Sequence, residues 1–219
     1  MPQTVLVVAP HPDDESIGCG GMICLHRRRG DPVHLAFLTS GEHGMVGVSE
    51  KSVRSIREAE AKEAAQVLKV NGIDFLRLPD YGVSENIEAG AEALRRVLER
   101  HPPDLIYLPH PGESHPDHKA ALLLVRTALT LALAPVGSPE LRGYEVWSPL
   151  LRHDWTEDIS QVMPHKLRAV RCYRSQLQQL RYDRAIRGLN VYRGITVAGS
   201  DYAEVFQYCD GRLLTKGPQ

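Results

Sequence analysis

Two short strings of histidine and carboxylate side chains are the residues in this chain that could do chemistry. The first is His11-Pro-Asp-Asp-Glu15, and the second is His115-Pro-Asp-His118. Imidazole nitrogens and carboxylate oxygens are ligands that a catalytic zinc ion prefers. Because such a set contains no thiolate, it also suits ferrous iron or another divalent cation. Together the two strings predict a metal-dependent enzyme.

The first string places several acidic groups beside a histidine. His11 and Asp14 are three residues apart across a proline-containing turn, so both side chains can face one point. The adjacent carboxylates of Asp13, Asp14 and Glu15 repel one another unless a positive charge gathers them. Helix capping is the alternative, since acidic residues are common in a first helical turn. Capping leaves His11 unexplained, and the string alone does not decide between the two interpretations.

The second string adds further imidazoles. His115 and His118 are three residues apart and can share one side of a helix start. A surface turn is the alternative, because proline, glycine, serine and aspartate all favour turns. With His110, however, the segment holds three histidines within nine residues, which is more than a turn requires. We expect His110 to be a loop residue.

The segments that precede the two strings have the pattern of buried strands. Residues 4–9 form a continuous run rich in valine, which is typical of a strand buried on both faces of a parallel sheet. Residues 104–108 are a similar run ahead of the second string. In an open sheet, the first and fourth strands often flank the point where strand order reverses. That topology would bring His11, Asp14 and His118 together above neighbouring strand ends.

Strands and helices alternate along most of the sequence. The predicted strands are 4–9, 33–39, 75–78, 104–108 and 144–147, and the predicted helices are 16–29, 52–70, 87–100, 118–134 and 163–180. This order predicts a Rossmann-like α/β fold, in which helices cover both faces of a mostly parallel sheet. We expect a single domain over residues 1–219, with regular alternation over about 1–149 and a less regular part over 150–219.

Composition excludes several classes of protein. The chain has 219 residues, of which 42% are hydrophobic and 24% charged, and its formal net charge is -1. The chain has no excess of basic residues, so its charge does not indicate a nucleic-acid partner. Its four cysteines form no CxxC pair and are expected to be small buried side chains. The N-terminus lacks the basic region of a signal peptide, and the longest apolar stretch is shorter than the roughly 20 residues that a bilayer requires. We expect a cytoplasmic protein without membrane contacts.

The glycines after the first strand do not indicate a dinucleotide site. Gly18, Gly20 and Gly21 begin a pattern like G-x-G-x-x-G, but Ile23 occupies the place of its third glycine. The second strand also ends in Thr39 rather than in an acidic ribose ligand. No organic cofactor is therefore expected, and close packing of helix against sheet is the predicted role of these glycines.

With both motifs in place, the chain resembles the PIG-L/LmbE-like zinc-dependent N-acetylglucosaminyl deacetylases. That family includes the deacetylases of mycothiol and bacillithiol synthesis and of diacetylchitobiose. Its pattern, a strand followed by (A/P)HPDDE and later by HPDH, appears here at residues 10–15 and 115–118. Residues 39–42 and the helix that contains Arg57 also resemble the family's second loop and following helix. The resemblance covers roughly the first 120 residues.

The resemblance implies specific roles around one metal ion. It implies that zinc is held by His11, Asp14 and His118 and that Asp13 is the general base. A protonated His115 would stabilise the oxyanion or protonate the leaving amine. Asp117 would lie behind His115 and keep it charged and oriented.

The resemblance says less about the substrate. It places Arg57 and Glu42 near the substrate, although the charged helix that carries Arg57 could equally present it to solvent. Some relatives carry a tyrosine two residues before the HPDH string, where this chain has Glu113, so that hydroxyl is absent or comes from elsewhere. Trp147 could offer a face for sugar stacking, as could Tyr144 and Trp155, but core packing is the alternative for each of them.

These observations predict a zinc-dependent hydrolase that removes the acetyl group from a small N-acetylglucosaminyl conjugate, for example GlcNAc-malate. We expect a homo-oligomer, such as a hexamer, by family resemblance. One alternative is another metal-dependent amide or phosphoester hydrolase on the same site. The other is a carbohydrate-binding module without turnover. Asp13 and His115 are surplus to metal coordination, which favours an enzyme.

Overall fold

The computed structural model describes residues 2–132 and 137–209. Its centre is a seven-stranded sheet of order β3-β2-β1-β4-β5-β7-β6. Neighbouring strands among β1 to β5 pair in parallel, whereas β7 runs antiparallel to both β5 and β6. The strands are β1 (Val5–Ala9), β2 (Val33–Thr39), β3 (Gly72–Leu78), β4 (Leu105–Pro109), β5 (Glu140–Tyr144), β6 (Trp155–Asp158) and β7 (Ala203–Tyr208).

Helices follow most of the strands. They are α1 (Asp14–Arg29), α2 (Glu50–Leu68), α3 (Ile87–Arg100), α4 (Pro116–Leu131), α5 (Met163–Val170), α6 (Arg174–Leu177) and α7 (Tyr182–Arg193). A short 3₁₀ turn precedes α3, and a π-helical segment follows α7. Among the described residues, no helix is both long and apolar enough to span a bilayer.

The alternation of side chains along β1 shows how the sheet is covered on both faces. Val5, Val7 and Ala9 belong to a core shared with α1, α2 and α5. Leu6 and Val8 face the opposite core, which α3 and α4 complete. All five side chains are at most 1% exposed. The predicted mostly parallel α/β sheet with helices on both faces is confirmed.

Strand order reverses at β1. This strand pairs with β2 on one side and with β4 on the other, with Val5 opposite Leu105 and Val7 opposite Tyr107. The prediction that the first and fourth strands are neighbours is therefore confirmed. Because both strands run in the same direction, the segments that follow their carboxyl ends meet at one edge of the sheet.

The glycines of α1 allow this helix to pack closely. A Cβ atom on Gly18 would lie 2.1 Å from the Tyr144 ring, and one on Gly21 would lie 2.7 Å from Ile159. No larger side chain fits at either position without movement of the neighbouring residue. Close helix–sheet packing, the role predicted for these glycines, is confirmed at Gly18 and Gly21, whereas Gly20 packs against Lys166 of helix α5.

Two predicted elements differ from the structure. The strand expected at 144–147 lies at Glu140–Tyr144, because the backbone N–H groups of Val146 and Trp147 donate to the Glu113 carboxylate instead of a strand. The helix expected over 163–180 is broken between α5 and α6, where the Tyr173 ring is buried and its hydroxyl donates to Glu15. Residue 134, the predicted end of α4, lies outside the described residues.

Candidate active site

Three connecting segments meet at the carboxyl edge of the sheet. The turn after β1 carries His11 to Asp14 into the start of α1, and the loop after β4 leads to His115, the N-cap of α4. Pro116 occupies the first turn of α4, where a residue without an N–H is tolerated. The loop after β3 brings a third group, Asp80 and Tyr81, to the same edge.

The three expected metal ligands form a compact triangle. His11 Nδ1 lies 3.2 Å from Asp14 Oδ2, His118 Nε2 lies 3.1 Å from the same oxygen, and the two nitrogens are 3.3 Å apart. With metal–ligand bonds of about 2.0–2.1 Å, a tetrahedral zinc ion separates its ligands by about 3.3 Å. All three residues are at most 7% exposed. The triangle therefore matches one face of a tetrahedral site.

Unsatisfied polar atoms at the triangle also fit a cation. Asp14 Oδ1 is buried without a hydrogen-bond partner. Burial disfavours the charged forms, yet the contact with Asp14 raises the pKa of His118 to about 9. Burial alone would raise the pKa of Asp14, but His118 and His11 hold it well below its usual value. The carboxylate is thus ionised, and positive charge is strongly favoured at the point where the two imidazoles meet it.

The ring nitrogens on the far side of both histidines face carboxylates. His11 Nε2 lies 3.1 Å from Asp117 Oδ2 and 3.1 Å from Asp80 Oδ1. His118 Nδ1 lies 3.5 Å from Glu113 Oε2. Histidines that bind metals usually donate their second N–H to such an acceptor, which orients the ring and increases its basicity. The His11 ring therefore has the surroundings of a metal ligand, whereas Glu113 lies near His118 Nδ1 without a hydrogen bond to it.

His115 stands beside the triangle. Its ring centroid is 4.7 Å from that of His11 and 5.1 Å from that of His118. Its Nδ1 accepts a hydrogen bond from the backbone N–H of Asp117 at 3.2 Å, so Nε2 is the nitrogen left for the cavity. Burial lowers the pKa of His115, and its two histidine neighbours lower it further. The protonated form expected for His115 is therefore disfavoured before substrate binds.

The Asp117 carboxylate does not hydrogen-bond to His115, which corrects the expected arrangement. Its Oδ2 faces His11 and accepts the Tyr81 N–H at 2.8 Å, and its Oδ1 accepts the Val83 N–H at 3.1 Å. Asp117 lies in the first turn of α4 and is fully buried, and these donors fix its orientation. It positions the His11 ring and the loop after β3.

Asp13 is held in an unusual conformation at the wall of the cavity. Its φ of 137° lies in a region that residues with a side chain rarely adopt, at a cost of about 1–3 kcal/mol. Burial raises the pKa of Asp13 to about 7, although Arg57, whose Nη2 donates to Asp13 Oδ2 at 3.1 Å, opposes that rise. Glu15 stabilises this turn, because its Oε2 accepts the Asp13 N–H at 3.2 Å while Oε1 accepts the Tyr173 hydroxyl.

The two residues expected near the substrate have different surroundings. Arg57 is 4% exposed and lines the cavity, so the alternative that its helix presents it to solvent is wrong. Its guanidinium also donates to the backbone carbonyls of Pro12 and Gly41. Glu42 is not among the residues that line the cavity. It is buried behind the wall, where its Oε1 accepts the Asp80 N–H at 3.2 Å. Glu42 therefore supports the loop after β3 and does not face substrate.

Sequence reasoning missed Asp80 and Tyr81, although a signal was present. Both follow directly on the third strand, the topological position already used for the other two strings. Tyr81 has a left-handed φ of 63° and packs its ring 4.6 Å from that of His115. The strand-end rule applied to β3 would have found them.

The outer part of the cavity comes from the C-terminal third and from the loop after β2. Besides Tyr81, it is lined by His43, Gly44, Trp147, Gln176 and Tyr182. Of the aromatic residues considered for sugar stacking, Tyr144 is fully buried in the core, and Trp155 covers the Arg142 guanidinium away from the cavity.

Comparisons with known proteins agree with this geometry. Residues 6–129 match the PIG-L family, described as GlcNAc-PI de-N-acetylase. The chain is 32% identical to the probable N-acetyl-alpha-D-glucosaminyl L-malate deacetylase 2 of Bacillus subtilis, over 81% of this chain and 85% of that protein. The structure is similar to the N,N'-diacetylchitobiose deacetylase of Pyrococcus horikoshii, with a TM-score of 0.81, 28% identity and coverage of 99% and 87%.

The same fold is also found with a different activity. GalB, the 4-carboxy-2-hydroxymuconate hydratase of Pseudomonas putida KT2440, superimposes with a TM-score of 0.81 and 26% identity over 99% of this chain and 100% of that chain. Fold similarity by itself therefore does not fix the reaction, and the function must be argued from the site.

Proposed function

Because this chain belongs to the PIG-L family of de-N-acetylases, we propose that it catalyses the zinc-dependent hydrolysis of the acetamido group of an N-acetylglucosaminyl conjugate. The products are acetate and a free amine. The observation that carries the proposal is the triangle of His11 Nδ1, Asp14 Oδ2 and His118 Nε2, two of whose residues line the cavity.

The donor set determines what the metal contributes. A zinc ion held by these three side chains would supply Lewis acidity, which lowers the pKa of a water molecule from 15.7 towards about 7 and polarises an amide carbonyl. Nitrogen and oxygen donors also accept ferrous iron or another divalent ion.

Asp13 has the properties of the general base. It lines the cavity beside Asp14, and burial raises its pKa to about 7, close to a working pH at which a base must both accept and return a proton. Arg57 fixes its carboxylate through the 3.1 Å hydrogen bond. Asp13 takes the proton of the attacking water as the new C–O bond forms, and positioned bases of this kind contribute about 10²–10⁴-fold to rate.

His115 provides the complementary donor. Since its Nδ1 accepts the Asp117 N–H, the neutral ring carries its proton on Nε2. That N–H can hold the carbonyl oxygen as negative charge develops on it, and one such donor is worth about 3 kcal/mol. When the C–N bond breaks, the proton taken by Asp13 moves to the amine nitrogen.

The relatives indicate the range of substrates. One is named for the deacetylation of a GlcNAc L-malate conjugate and the other for N,N'-diacetylchitobiose. An acetamido sugar is the part that these two substrates share. We therefore assign this chain an N-acetylglucosaminyl conjugate as its substrate class.

The test measures both products from zinc-loaded protein. GlcNAc-malate and N,N'-diacetylchitobiose are each incubated with enzyme, acetate is measured by a coupled assay, and primary amine is measured with fluorescamine. We expect equal amounts of acetate and amine. Chelation of the metal should abolish this activity, and added zinc should restore it. The Asp13→Asn variant is the control for contaminating activity. An aryl phosphate is tested in parallel. The proposal would be refuted if neither sugar released acetate, or if the protein released phosphate from the aryl phosphate instead.

A further inference from the structure

An aromatic pair lies at the outer wall of the cavity. The Trp147 side chain is 40% exposed, and Tyr182 is half-buried beside it. Their ring centroids are 5.1 Å apart and the planes meet at 73°, so an edge of one ring faces the other. Both residues line the cavity that holds the metal triangle. An indole left exposed beside a polar cavity provides an apolar surface that a ligand can cover.

The Trp147 backbone is fixed relative to the metal triangle. Glu113 Oε1 accepts the N–H groups of Val146 at 2.7 Å, Trp147 at 3.1 Å and Ser148 at 3.2 Å. The other oxygen of the same carboxylate faces His118 at 3.5 Å. One buried side chain therefore connects a metal-ligand ring to the segment that carries the indole. The aromatic surface has a defined position with respect to the reacting group.

The cavity offers little to an anionic substituent. Of the described residues that line it, Arg57 alone carries a permanent positive charge. Both of its terminal nitrogens donate to the protein, to Asp13 Oδ2 and to two backbone carbonyls. Asp13, Asp14 and Asp80 add negative charge to the inner wall. A carboxylate on the substrate would therefore meet a guanidinium that is already paired with Asp13, and it would approach three carboxylates.

We propose that Trp147 and Tyr182 form a subsite for an uncharged pyranose ring linked to the reacting N-acetylglucosaminyl unit, so that a neutral saccharide is preferred over a conjugate in which an anionic group takes that place. The C–H face of a pyranose is apolar and packs on an aromatic ring, while its hydroxyl groups stay free for polar neighbours such as Gln176. The inference rests on the deacetylase function proposed above and names its substrate class.

The kinetic test compares N,N'-diacetylchitobiose with GlcNAc-malate. Trp147→Ala should raise KM for the neutral disaccharide about tenfold and change kcat less than about twofold. The reason is that the indole ring stabilises the bound substrate and the transition state equally. Trp147→Phe should retain most of the affinity. With GlcNAc-malate, Trp147→Ala should change KM less than about twofold, and the unaltered enzyme should show the lower kcat/KM.

Trp155→Ala is the matched control, since Trp155 is 38% exposed and does not line the cavity. It should leave both substrates unaffected, and unchanged zinc content should show that each variant is folded. An unaltered KM for diacetylchitobiose in Trp147→Ala would overturn the inference. So would an equal rise for both substrates, or a preference of the unaltered enzyme for GlcNAc-malate.

A binding measurement separates this inference from the proposed function. The chain contains two tryptophans, so Trp155→Phe leaves Trp147 as its single indole fluorophore. Zinc-loaded Trp155→Phe protein that also carries Asp13→Asn is titrated with diacetylchitobiose, and acetate release is measured in Trp155→Phe alone. A saturable emission change without acetate release would sustain the subsite and refute the deacetylase. Acetate release without an emission change would sustain the deacetylase and refute the subsite.

Discussion

Replacing Asp117 by Asn tests how the metal triangle is supported. The carboxylate contacts three donors: the Tyr81 N–H at 2.8 Å, the Val83 N–H at 3.1 Å and the His11 Nε2 at 3.1 Å. An amide of the same shape has one accepting oxygen and one donating NH₂ group. Whichever way it is oriented, its NH₂ group faces at least one donor. The substitution is isosteric but electrostatically mismatched.

The expected magnitude follows from these contacts. If the amide oxygen keeps Tyr81 and His11, the buried Val83 N–H loses its acceptor, which costs about 1–3 kcal/mol of stability. His11 also loses its charged acceptor, and changes of this kind weaken metal affinity about 10–100-fold. That factor corresponds to about 1.4–2.7 kcal/mol of zinc binding free energy. At saturating zinc, kcat should return to within about threefold, because the Asp117 carboxylate contacts His11 and not His115.

The assay has three readouts: the zinc dissociation constant from competition with a chromophoric chelator, urea unfolding of the metal-free protein, and kcat against zinc concentration. Asp31→Asn is the matched control, since it alters another aspartate–histidine pair, with Asp31 Oδ2 2.7 Å from His26 Nδ1, away from the cavity. It should leave zinc affinity unchanged. Unaltered zinc affinity in Asp117→Asn would refute the reasoning. A kcat that saturating zinc fails to restore would instead return Asp117 to a role behind His115.

Three further predictions concern separate groups. Asp13→Asn should keep its zinc, by elemental analysis, and lose about 10²–10⁴-fold in kcat; nearly full acetate release would remove Asp13 as the base. Asp14→Ala should lose zinc and activity together, so a variant that retains stoichiometric zinc would contradict the triangle. Glu204→Gln should cost about 3–5 kcal/mol in urea unfolding, because it removes the negative charge that lies 2.6 Å from the fully buried Lys166 ammonium. Glu157→Gln, at a pair whose arginine is half exposed, should cost less than about 1 kcal/mol.

The location of the site could be predicted from the sequence because one topological rule was sufficient. Apolar runs identified β1 and β4, and a parallel sheet aligns the carboxyl ends of neighbouring strands. The rule therefore brought His11 and His118 together across a separation of 107 residues. Applied to β3 as well, it would have included Asp80. What it required was only the direction of each strand and the order of strands at the reversal.

The partners of the buried carboxylates could not be predicted in the same way. Glu113 and Trp147 are 34 residues apart, and their hydrogen bond leaves no periodic pattern in the sequence. The same contact removes Val146 and Trp147 from the strand that their side chains favour. The sequence places Asp117 two residues from His115, but its carboxylate oxygens face His11 and the loop after β3. Proximity in sequence is a poor guide where several buried donors compete for one carboxylate.

The three consecutive carboxylates of the first string illustrate how the fold resolves a local conflict. Their mutual repulsion is relieved by separate partners: Asp13 meets Arg57, Asp14 meets His11 and His118, and Glu15 accepts hydrogen bonds that include the Tyr173 hydroxyl. Burial still raises the pKa of Asp13 and of Glu15 to about 7 each.

The strained φ of Asp13 and the burial of three adjacent carboxyl groups are both unfavourable to the local stability of this turn. A chain selected for stability alone would place a glycine at Asp13 and apolar side chains around it. Violations of local rules concentrate where a protein acts, so this turn is where the chemistry of the chain is expected to lie.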